Sequence, residues 1–326
     1  MTSRIQYLRR IIAAYLTGAN SQLTFWHEPP EVNQHAAWTE LGEYYMPFER
    51  KARYSAHLDE NGVPRLDYHG TIGVQYNPIA IAQYGLGNYN LYRRTGDRDC
   101  FSRFIRTSNW LVEGLTPNQS GFPVWNHHFD WEYRTPLKAP WYSGLAQGQG
   151  ISLLVRAYAE TRNDVYLQAA KKAFACFHET VDRGGVAFID SDNNYWIEEY
   201  IVHPQPPTHI LNGFIWATWG LRDYALATGD SSARELFDRS IKTLAANLPA
   251  FDTGYWSLYE QSGTRMRMLA SPFYHALHVV QLKVLHRVTD EPIFRAFAER
   301  WQGYRDKFLN PYRSLVHKSV FKLLYY

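Results

Sequence analysis

One short pattern recurs four times along the chain and constrains its fold more than any other feature. Each copy is a threonine followed within three residues by an acidic or amide side chain, and successive copies are 66, 67 and 61 residues apart. The copies are Thr95-Gly96-Asp97, Thr161-Arg162-Asn163-Asp164, Thr228-Gly229-Asp230 and Thr289-Asp290-Glu291. Glycine favours the left-handed conformation that ends a helix, and aspartate or asparagine caps the start of the next one. The pattern therefore predicts four helix–turn–helix units.

Helical spacing of apolar residues precedes and follows each copy. The segments before the copies are 79–94, 151–160, 210–227 and 275–288, and those after them are 100–115, 166–178, 233–248 and 294–308. Three of the connectors between these segments are long, whereas the connectors of a plain solenoid are short. We therefore predict a mainly α-helical chain, an (α/α) toroid of about four helix-hairpin repeats in which inner and outer helices alternate.

The three long connectors are the predicted location of the functional site. They cover residues 116–143, 184–208 and 249–272, and a ring of repeats would bring them together at one end. Long loops in a compact domain are usually functional. Aromatic residues make up 16% of the chain, and clusters of them lie in all three connectors. Because aromatic rings stack against the apolar faces of sugars, this composition favours a carbohydrate cleft.

The region before the repeats is expected to contain one helix and a small antiparallel β region. An amphipathic helix over residues 3–17 is favoured over a signal peptide, because the apolar run is short and interrupted. Asn61-Gly62 is a strong hairpin signal between residues 54–58 and 64–68. Residues 1–76 thus form the predicted N-terminal region, which precedes a catalytic toroid over residues 77–310.

The C-terminal residues 311–326 are predicted to form a strap. Pro311 is expected to end the last repeat helix because it removes a backbone donor and clashes with the preceding turn. The apolar residues beyond it are Leu315, Val316, Val320, Phe321, Leu323 and Leu324. We expect them to pack against the toroid, as docked termini commonly do. Contact of this basic, apolar tail with a membrane surface is the alternative.

Charge and motifs exclude several classes of function. The formal net charge of +3 is too small to indicate nucleic-acid binding. No apolar run approaches the ~20 residues of a membrane-spanning helix, so we predict no integral membrane segment. Neither a glycine-rich dinucleotide fingerprint after a strand nor a P-loop is present. The sequence therefore predicts no nucleotide cofactor.

The cysteines and histidines do not form a convincing metal motif. Neither Cys100 nor Cys176 belongs to a C-x-x-C pair, which argues against structural zinc. Two free thiols in a reducing compartment are the simpler interpretation, so we expect a cytoplasmic protein. His275 and His278 have an acceptable ligand spacing, but without a second motif we favour hydrogen bonding in an aromatic cleft. We predict no metal, and a homodimer is left open.

Two kinds of side chain in the connectors could carry proton-transfer chemistry. The adjacent Glu198 and Glu199 would be costly to bury unless they are paired or used. They could be one exposed and one salt-bridged residue, or Glu199 could join Glu132 and Glu260 in a paired-carboxylate glycosidase.

Tyrosines in the same region are the second kind of candidate. Tyr200 lies in the second connector, and Tyr259 and Tyr274 lie at the end of the third connector and the start of the next helix. A phenol becomes a useful acid or base when its neighbours lower its pKa from about 10. Amphipathic packing is the alternative role for each of them.

Several motifs identify a family resemblance over about residues 62–304. They are Trp141-Tyr142-Ser143-Gly144-Leu145-Ala146-Gln147-Gly148-Gln149, Glu198-Glu199-Tyr200, Leu211-Asn212-Gly213-Phe214, Asp252-Thr253-Gly254 and Tyr274-His275. In order and spacing they resemble the C-terminal region of D-glucuronyl C5-epimerases, which convert D-glucuronate to L-iduronate within heparan-type chains. After Tyr259 this chain has Glu260-Gln261-Ser262, where the family pattern has a basic residue.

The resemblance implies an (α/α) toroid with a preceding β region and a C5-epimerase of uronate in a heparosan-like polysaccharide. It places the catalytic residues at Glu199, Tyr200, Tyr259 and Tyr274. Tyr274 and Glu199 are the preferred opposed acid/base pair, supported by Tyr200 and Tyr259. The reaction removes the C5 proton and returns a proton from the opposite face, so it needs no redox cofactor.

Eight further residues are predicted to bind the substrate. They are Trp141, Tyr142, Gln147, Gln149, Arg156, Asn212, Arg265 and His275. Hydrogen bonding between helices is the alternative role for the glutamines and Arg156. Two other functions stay open: a polysaccharide lyase, which shares the first proton abstraction and then expels the C4 substituent, and a non-catalytic glycan-binding protein.

Overall fold

Four helical hairpins form the framework of residues 25–325, which are the residues that the computed structural model describes. The predicted helix over residues 3–17 lies outside this range. After the short helix α1 (Glu49–Ala52), the hairpins are α2 (Pro78–Thr95) with α3 (Arg98–Glu113), α4 (Gly144–Thr161) with α5 (Asp164–Phe174), α6 (Leu211–Thr228) with α7 (Ser231–Asn247), and α8 (Pro272–Thr289) with α9 (Pro292–Arg305). The last helix is α10 (Leu309–Tyr325). The four predicted hairpins are thus present, and α4 begins seven residues before its predicted start at residue 151.

The recurring threonine has a specific role in the turn of each hairpin. The Thr95 hydroxyl donates to the Leu91 carbonyl at 2.8 Å and accepts from the Asp97 amide at 3.2 Å. The other three turns repeat this pair of bonds at Thr161, Thr228 and Thr289. The hydroxyl therefore satisfies a carbonyl at the end of one helix and an amide before the start of the next.

The first helix of each hairpin is an inner helix, and the second is an outer helix. In α6 every residue from Leu211 to Ala225 is buried, whereas α7 buries only residues at helical spacing. The inner helices α2, α4, α6 and α8 contact one another in sequence order. At the tight crossing of α4 and α6, a Cβ on Gly148 or Gly220 would overlap the backbone of the other helix. Glycine is required at both positions.

The segment before α1 connects the two ends of this array. The Tyr44 amide donates to Asn90 Oδ1 of α2 at 2.7 Å, and the Tyr45 hydroxyl donates to Asp223 Oδ1 of α6 at 2.6 Å. On the other side, His27 contacts Phe273 of α8, with ring centroids 4.7 Å apart. The N-terminal segment therefore contacts both the first and the last inner helix.

Three small antiparallel sheets complete the described chain. They pair β1 (Leu66–Asp67) with β2 (Val74–Gln75), β3 (Leu115–Pro117) with β4 (Pro123–Trp125), and β5 (Ala187–Ile189) with β6 (Tyr195–Ile197). The predicted hairpin around Asn61-Gly62 forms only one bridge, Leu58 with Pro64. Around this bridge the Asp59 amide donates to the Val63 carbonyl at 3.0 Å and the Arg65 amide donates to the His57 carbonyl at 2.8 Å. The first described strand pair forms further along the chain.

The C-terminal residues differ from the predicted strap. Helix α9 ends at Arg305, before Pro311, and Pro311 lies in the first turn of α10, where a missing N–H needs no partner. Of the six apolar residues predicted to pack against the repeats, only Phe321 is buried. Helix α10 thus packs on one face and leaves most of its apolar side chains exposed.

Candidate active site

The three long connectors meet near the N-terminal ends of the inner helices, since Tyr133 of the first contacts Tyr200 of the second and Glu260 of the third. The first two connectors line a cavity there. Its lining residues are Trp26, Tyr68, Asn77, Ile79, Gln83, Phe129, Trp131, Trp141, Leu145, Glu199, Tyr200, Asn212, Trp216, Phe273 and Tyr274. Trp26, Tyr68 and Asn77 precede α2, and the others come from the first two connectors and from all four inner helices. Nine of the fifteen are aromatic, and Glu199 carries the one carboxyl group among them.

Glu199 is a buried carboxyl group beneath the cavity. It follows β6, and Asn212 Nδ2 at the start of α6 lies 3.4 Å from its Oε2. Burial raises the pKa of Glu199 to about 8, and the nearby Glu198 and Glu260 add to the rise, while hydrogen bonds from Tyr200 and Asn212 oppose it. Glu199 therefore holds a proton at neutral pH.

Gly213 makes room for this carboxyl group. A Cβ at position 213 would overlap the Glu199 carboxylate and Cβ atoms. The Asn212-Gly213 pair at the start of α6 therefore supplies both a donor to Glu199 and the space that it occupies.

Gly213→Ala is expected to displace Glu199 and to cost about 1–3 kcal/mol of folding free energy, the usual cost of overpacking. Activity should fall by more than the loss of folded protein explains, because the carboxyl group moves out of place. Urea unfolding measures the loss of stability, and turnover of a uronate polysaccharide, the substrate that the sequence resemblance implies, measures the loss of activity. Gly303→Ala is the matched control, since nothing lies within 4 Å of a Cβ there. Full activity in the Gly213 variant would contradict this role.

Glu198, the neighbour of Glu199, makes a different set of contacts. Its Oε2 accepts hydrogen bonds from the Thr208 amide at 2.9 Å, the Thr208 hydroxyl at 3.0 Å and the His209 amide at 3.1 Å. Its Oε1 lies 2.6 Å from His209 Nδ1. Glu198 thus fixes the end of the second connector, and the two adjacent carboxyl groups have separate environments.

Tyr259 and Tyr274 lie together beside the cavity. Their rings are in edge-to-face contact with centroids 4.9 Å apart. The Tyr259 amide donates to the Met268 carbonyl at 2.8 Å, and its carbonyl accepts from the Leu211 amide at 3.1 Å, so the backbone holds this residue at the start of α6. Burial raises the pKa of the Tyr259 phenol well above 10, and Glu199 and Tyr274 add to the rise. Tyr259 is therefore a hydrogen-bond donor at neutral pH.

Tyr200 and Glu260 carry the remaining predicted phenol and carboxyl groups near the cavity. The Tyr200 ring contacts Tyr133 and Trp141, with centroids 4.8 Å and 5.8 Å away. The fully buried Glu260 side chain pairs with Arg134 at 3.0 Å and accepts a hydrogen bond from the Tyr133 hydroxyl. Because Glu260 is neutralised by Arg134, it does not form a free carboxylate pair with Glu199. Glu132, the third carboxylate of the glycosidase alternative, is exposed.

Lys318 is a residue near the site that the sequence did not predict. It comes from α10, and its Nζ lies 5.0 Å from the Tyr259 ring centroid and 5.8 Å from the Tyr274 ring centroid. It donates to the Leu269 carbonyl at 3.3 Å. Burial, helped by Lys322, lowers the pKa of Lys318 to about 7, and Glu260 partly opposes this. This chain thus places a cation beside two phenols although no basic residue directly follows Tyr259.

The cavity also contains buried polar atoms that are unpaired among the described residues. They are Gln83 Oε1, Asn212 Oδ1 and Trp216 Nε1. Leaving such atoms unsatisfied is costly, so a polar ligand would be well placed to pair with them. Asn212 was predicted from the sequence, whereas Gln83 and Trp216 were not, because a single glutamine or tryptophan in a helical segment is indistinguishable from a core residue.

Of the eight predicted binding residues, only Trp141 and Asn212 line the cavity. Trp141 stacks on His127 with ring centroids 3.8 Å apart, and its Nε1 donates to the Phe129 carbonyl at 2.8 Å. Gln149 lies one layer behind the lining and accepts from Gln83 Nε2 at 3.0 Å.

The structure places Arg156, Gln147 and Tyr142 in contacts between structural elements, away from the cavity lining. Arg156 is buried and pairs with Asp223 at 2.6 Å. Gln147 accepts from the Trp125 amide at 2.9 Å and donates to the Ala173 carbonyl at 3.2 Å. The Tyr142 hydroxyl donates to the Gly184 carbonyl at 2.9 Å. These side chains connect helices and connectors, which is the alternative that the sequence left open for Gln147 and Arg156.

His275 and Arg265 also lie elsewhere. His275 Nδ1 accepts from the Ser257 amide at 3.1 Å, and its Nε2 lies 3.0 Å from the Trp301 carbonyl. His278 Nδ1 lies 2.9 Å from the Ser257 hydroxyl, so the histidine pair belongs to the core, and burial lowers the pKa of His275 to about 4. Arg265 lines a separate groove beside α10. Within residues 25–325, no cluster of three or more His, Cys, Asp or Glu side chains could hold a metal ion.

The arrangement of the helices matches that of a sugar epimerase. Cellobiose 2-epimerase from Spirochaeta thermophila superposes with a TM-score of 0.50 at 13% identity, over 92% of this chain and 84% of that one. At this identity the match shows a shared fold alone.

Sequence comparison identifies the family. A model of the D-glucuronyl C5-epimerase C-terminus matches residues 119–303, more than half of the chain. D-glucuronyl C5-epimerase of Caenorhabditis elegans is 30% identical over 216 residues, which are 62% of this chain and 34% of that protein. An uncharacterized protein of Methanocaldococcus jannaschii is 31% identical over 264 residues, 74% of this chain and 83% of that one. The chain belongs to the D-glucuronyl C5-epimerase family, and it spans about a third of the length of the C. elegans relative.

Proposed function

We propose that this chain is a polysaccharide uronate C5-epimerase that converts D-glucuronate to L-iduronate in a heparosan-like glycan, on a toroid-like array of helical hairpins. The main support for the proposal is that one cavity is lined by Glu199, Tyr200 and Tyr274, with Tyr259 packed against Tyr274. These two side chains come from different parts of the fold, the end of the second connector and the start of α8. They are the proposed opposed acid and base.

The proton inventory of the site fits this chemistry. Abstraction of the C5 proton leaves its electron pair delocalised into the adjacent carboxylate, which gives an enolate-like intermediate that carries an added negative charge. Glu199 holds a proton at neutral pH because burial raises its pKa to about 8, so it can supply a proton. The protonated Tyr259 phenol is a hydrogen-bond donor for the developing charge. In one direction Tyr274 acts as the phenolate, its own proton having passed to solvent, and takes the C5 proton while Glu199 gives its proton to the opposite face. In the return direction the ionised Glu199 takes the C5 proton and the Tyr274 phenol gives one.

The substrate would be held by rings and by the unpaired polar atoms. Trp131, Phe129 and Trp141 line the cavity and offer faces for a sugar ring. Trp216 Nε1 is a donor, and Gln83 Oε1 and Asn212 Oδ1 are acceptors that hydroxyl groups of the sugar would satisfy. These groups suit the hydroxyl groups of a sugar ring. The uronate carboxylate would instead accept hydrogen bonds from the donors near Glu199 and Tyr259.

Lys318→Met is expected to reduce kcat about five- to tenfold, because it removes a cation worth about 1 kcal/mol to neighbouring phenols and keeps the aliphatic stem. KM should change less than kcat if the charge acts on the phenols. Steady-state kinetics on heparosan measure both. Lys307→Met, on the exposed surface before α10, is the matched control and should retain wild-type kinetics. Equal kcat in the two variants would contradict the role of Lys318.

The direct test of the proposed function is the product formed from non-sulfated heparosan. The proposal predicts iduronate signals in the proton NMR spectrum and no change in chain length. Unsaturated, ultraviolet-absorbing chain ends would instead identify a lyase, in which the carbanion expels the C4 oxygen substituent. Binding of the glycan without either product would identify a non-catalytic binding protein.

A further inference from the structure

The exposed face of α10 is unusually apolar for a helix on a protein surface. Twelve large apolar side chains of the described residues are exposed, and eight of them lie between residues 308 and 324. They are Phe308, Leu309, Tyr312, Leu315, Val316, Val320, Leu323 and Leu324. Their spacing of three to four residues puts them on one side of the helix, opposite the buried Ser314 and Phe321. A contiguous apolar surface of this kind marks an interaction site.

The charge around this face is entirely positive. Residues 307–325 include Lys307, Arg313, Lys318 and Lys322 and contain no acidic residue. A second copy of the chain across a two-fold axis would place the same surface against itself, so Arg313 and Lys322 would meet no counter-charge from the partner's helix. An anionic surface would meet these cations with the opposite charge.

A basic groove of about 770 Å³ adjoins the apolar face. It runs between α10 and the third connector, and it is lined by Thr253, Tyr255, Arg265, Met266, Arg267, Leu269, His317, Leu324 and Tyr325. No acidic residue lines it, and the Arg313 guanidinium lies over the Tyr255 ring at 3.9 Å. The groove thus combines several cations with the edge of an apolar surface, as a phospholipid headgroup and its acyl chains would require.

We propose that α10 docks this chain on an anionic lipid surface, with its apolar face in the headgroup region and the groove of Arg265 and Arg267 facing lipid phosphates. No helix within residues 25–325 is long and apolar enough to cross a membrane, so the contact would lie in the plane of the interface. Because Lys318 on the same helix contacts Tyr259 and Tyr274, the docked helix would also hold the candidate active site near the lipid surface. The docking itself does not rest on the proposed function.

Vesicle sedimentation of the full chain tests this proposal. We expect binding to phosphatidylcholine vesicles that contain phosphatidylglycerol, at least about tenfold weaker binding to phosphatidylcholine alone, and loss of binding at high salt. Val316→Glu and Leu323→Glu should each weaken binding at least about tenfold, and Arg267→Gln should weaken it less. Val165→Glu, at an exposed apolar residue of α5, is the matched control and should bind like the wild type.

Each alternative occupant gives a different result. A concentration-dependent dimer that Val316→Glu dissociates, together with no vesicle binding, would overturn the proposal in favour of a second copy of the chain. Binding of soluble heparosan that Arg267→Gln abolishes, again without vesicle binding, would assign the groove to the acidic glycan and overturn it as well. Equal thermal unfolding midpoints for wild type and variants show that the substitutions act on the surface and not on folding.

Discussion

Tyr274→Phe is expected to lower the turnover of heparosan by about 10²–10⁴, the usual cost of losing a general acid or base. The substitution removes one hydroxyl group and keeps the ring, which packs edge-to-face on Tyr259 at 4.9 Å. Folding and glycan binding should therefore change little. Initial rates from iduronate NMR signals, with a binding isotherm for the same variant, separate catalysis from binding.

Tyr166→Phe is the matched control for this loss. The Tyr166 hydroxyl donates to Asn109 Oδ1 at 2.7 Å, and this tyrosine lies on the outer helix α5, away from the cavity lining. It should retain wild-type turnover. If Tyr274→Phe kept even a tenth of the wild-type rate, Tyr274 would not be the acid or base of the reaction.

The stability of Glu199→Gln relative to the wild type is expected to increase as the pH rises from 4.5 to 8. The folded wild type keeps the Glu199 proton up to a pKa of about 8, whereas the ordinary pKa of this group is 4.5. Between these values the folded state binds more protons than the unfolded state, so its stability falls with rising pH. The fall approaches about 4–5 kcal/mol over the interval, at ~1.4 kcal/mol per pH unit. Glutamine is neutral throughout, so the variant does not lose this stability as the pH rises.

Urea unfolding at pH 5, 6.5 and 8 measures this difference (the pH values are chosen to cover the interval between the ordinary pKa of 4.5 and the raised pKa of about 8). The stability difference between variant and wild type should be small at the lowest pH and largest at the highest. Glu291→Gln, at an exposed carboxylate before α9, should show no such trend. A difference that is constant across the three pH values would mean that Glu199 is ionised in the folded protein. Activity should be low in Glu199→Gln at every pH, because the amide cannot donate a titrating proton.

The hairpins could be predicted from the sequence because their turns are local. Thr95 bonds to a carbonyl four residues before it and an amide two residues after it, and Gly96 adopts a φ of 72°, so a few adjacent residues determine the turn. The same chemistry recurs three times. The repeat also predicted that the connectors meet at one end of the array, because inner helices that pack side by side place their N-terminal ends together.

The walls of the site could not be predicted in the same way, because they depend on distant contacts. Lys318 reaches Tyr259 only because α10 folds back over the third connector, and nothing in its local sequence indicates this. Trp26 comes from the region before the repeats, and Trp216 resembles a core residue in its helix. Arg156 was expected at the substrate because it lies on a predicted inner helix, but Asp223 lies 67 positions further along the chain and pairs with it.

Proton exchange at C5 in heavy water is the measurement that tests the central claim most directly. Heparosan is incubated with the enzyme in D₂O, and NMR follows deuterium at C5 of both uronate epimers. We expect deuterium to enter C5 as iduronate forms and the chain length to stay unchanged. Tyr274→Phe should lose exchange and epimerisation together. Iduronate without deuterium at C5, or deuterium-free glucuronate beside unsaturated chain ends, would contradict reversible proton transfer between Glu199, Tyr274 and the sugar.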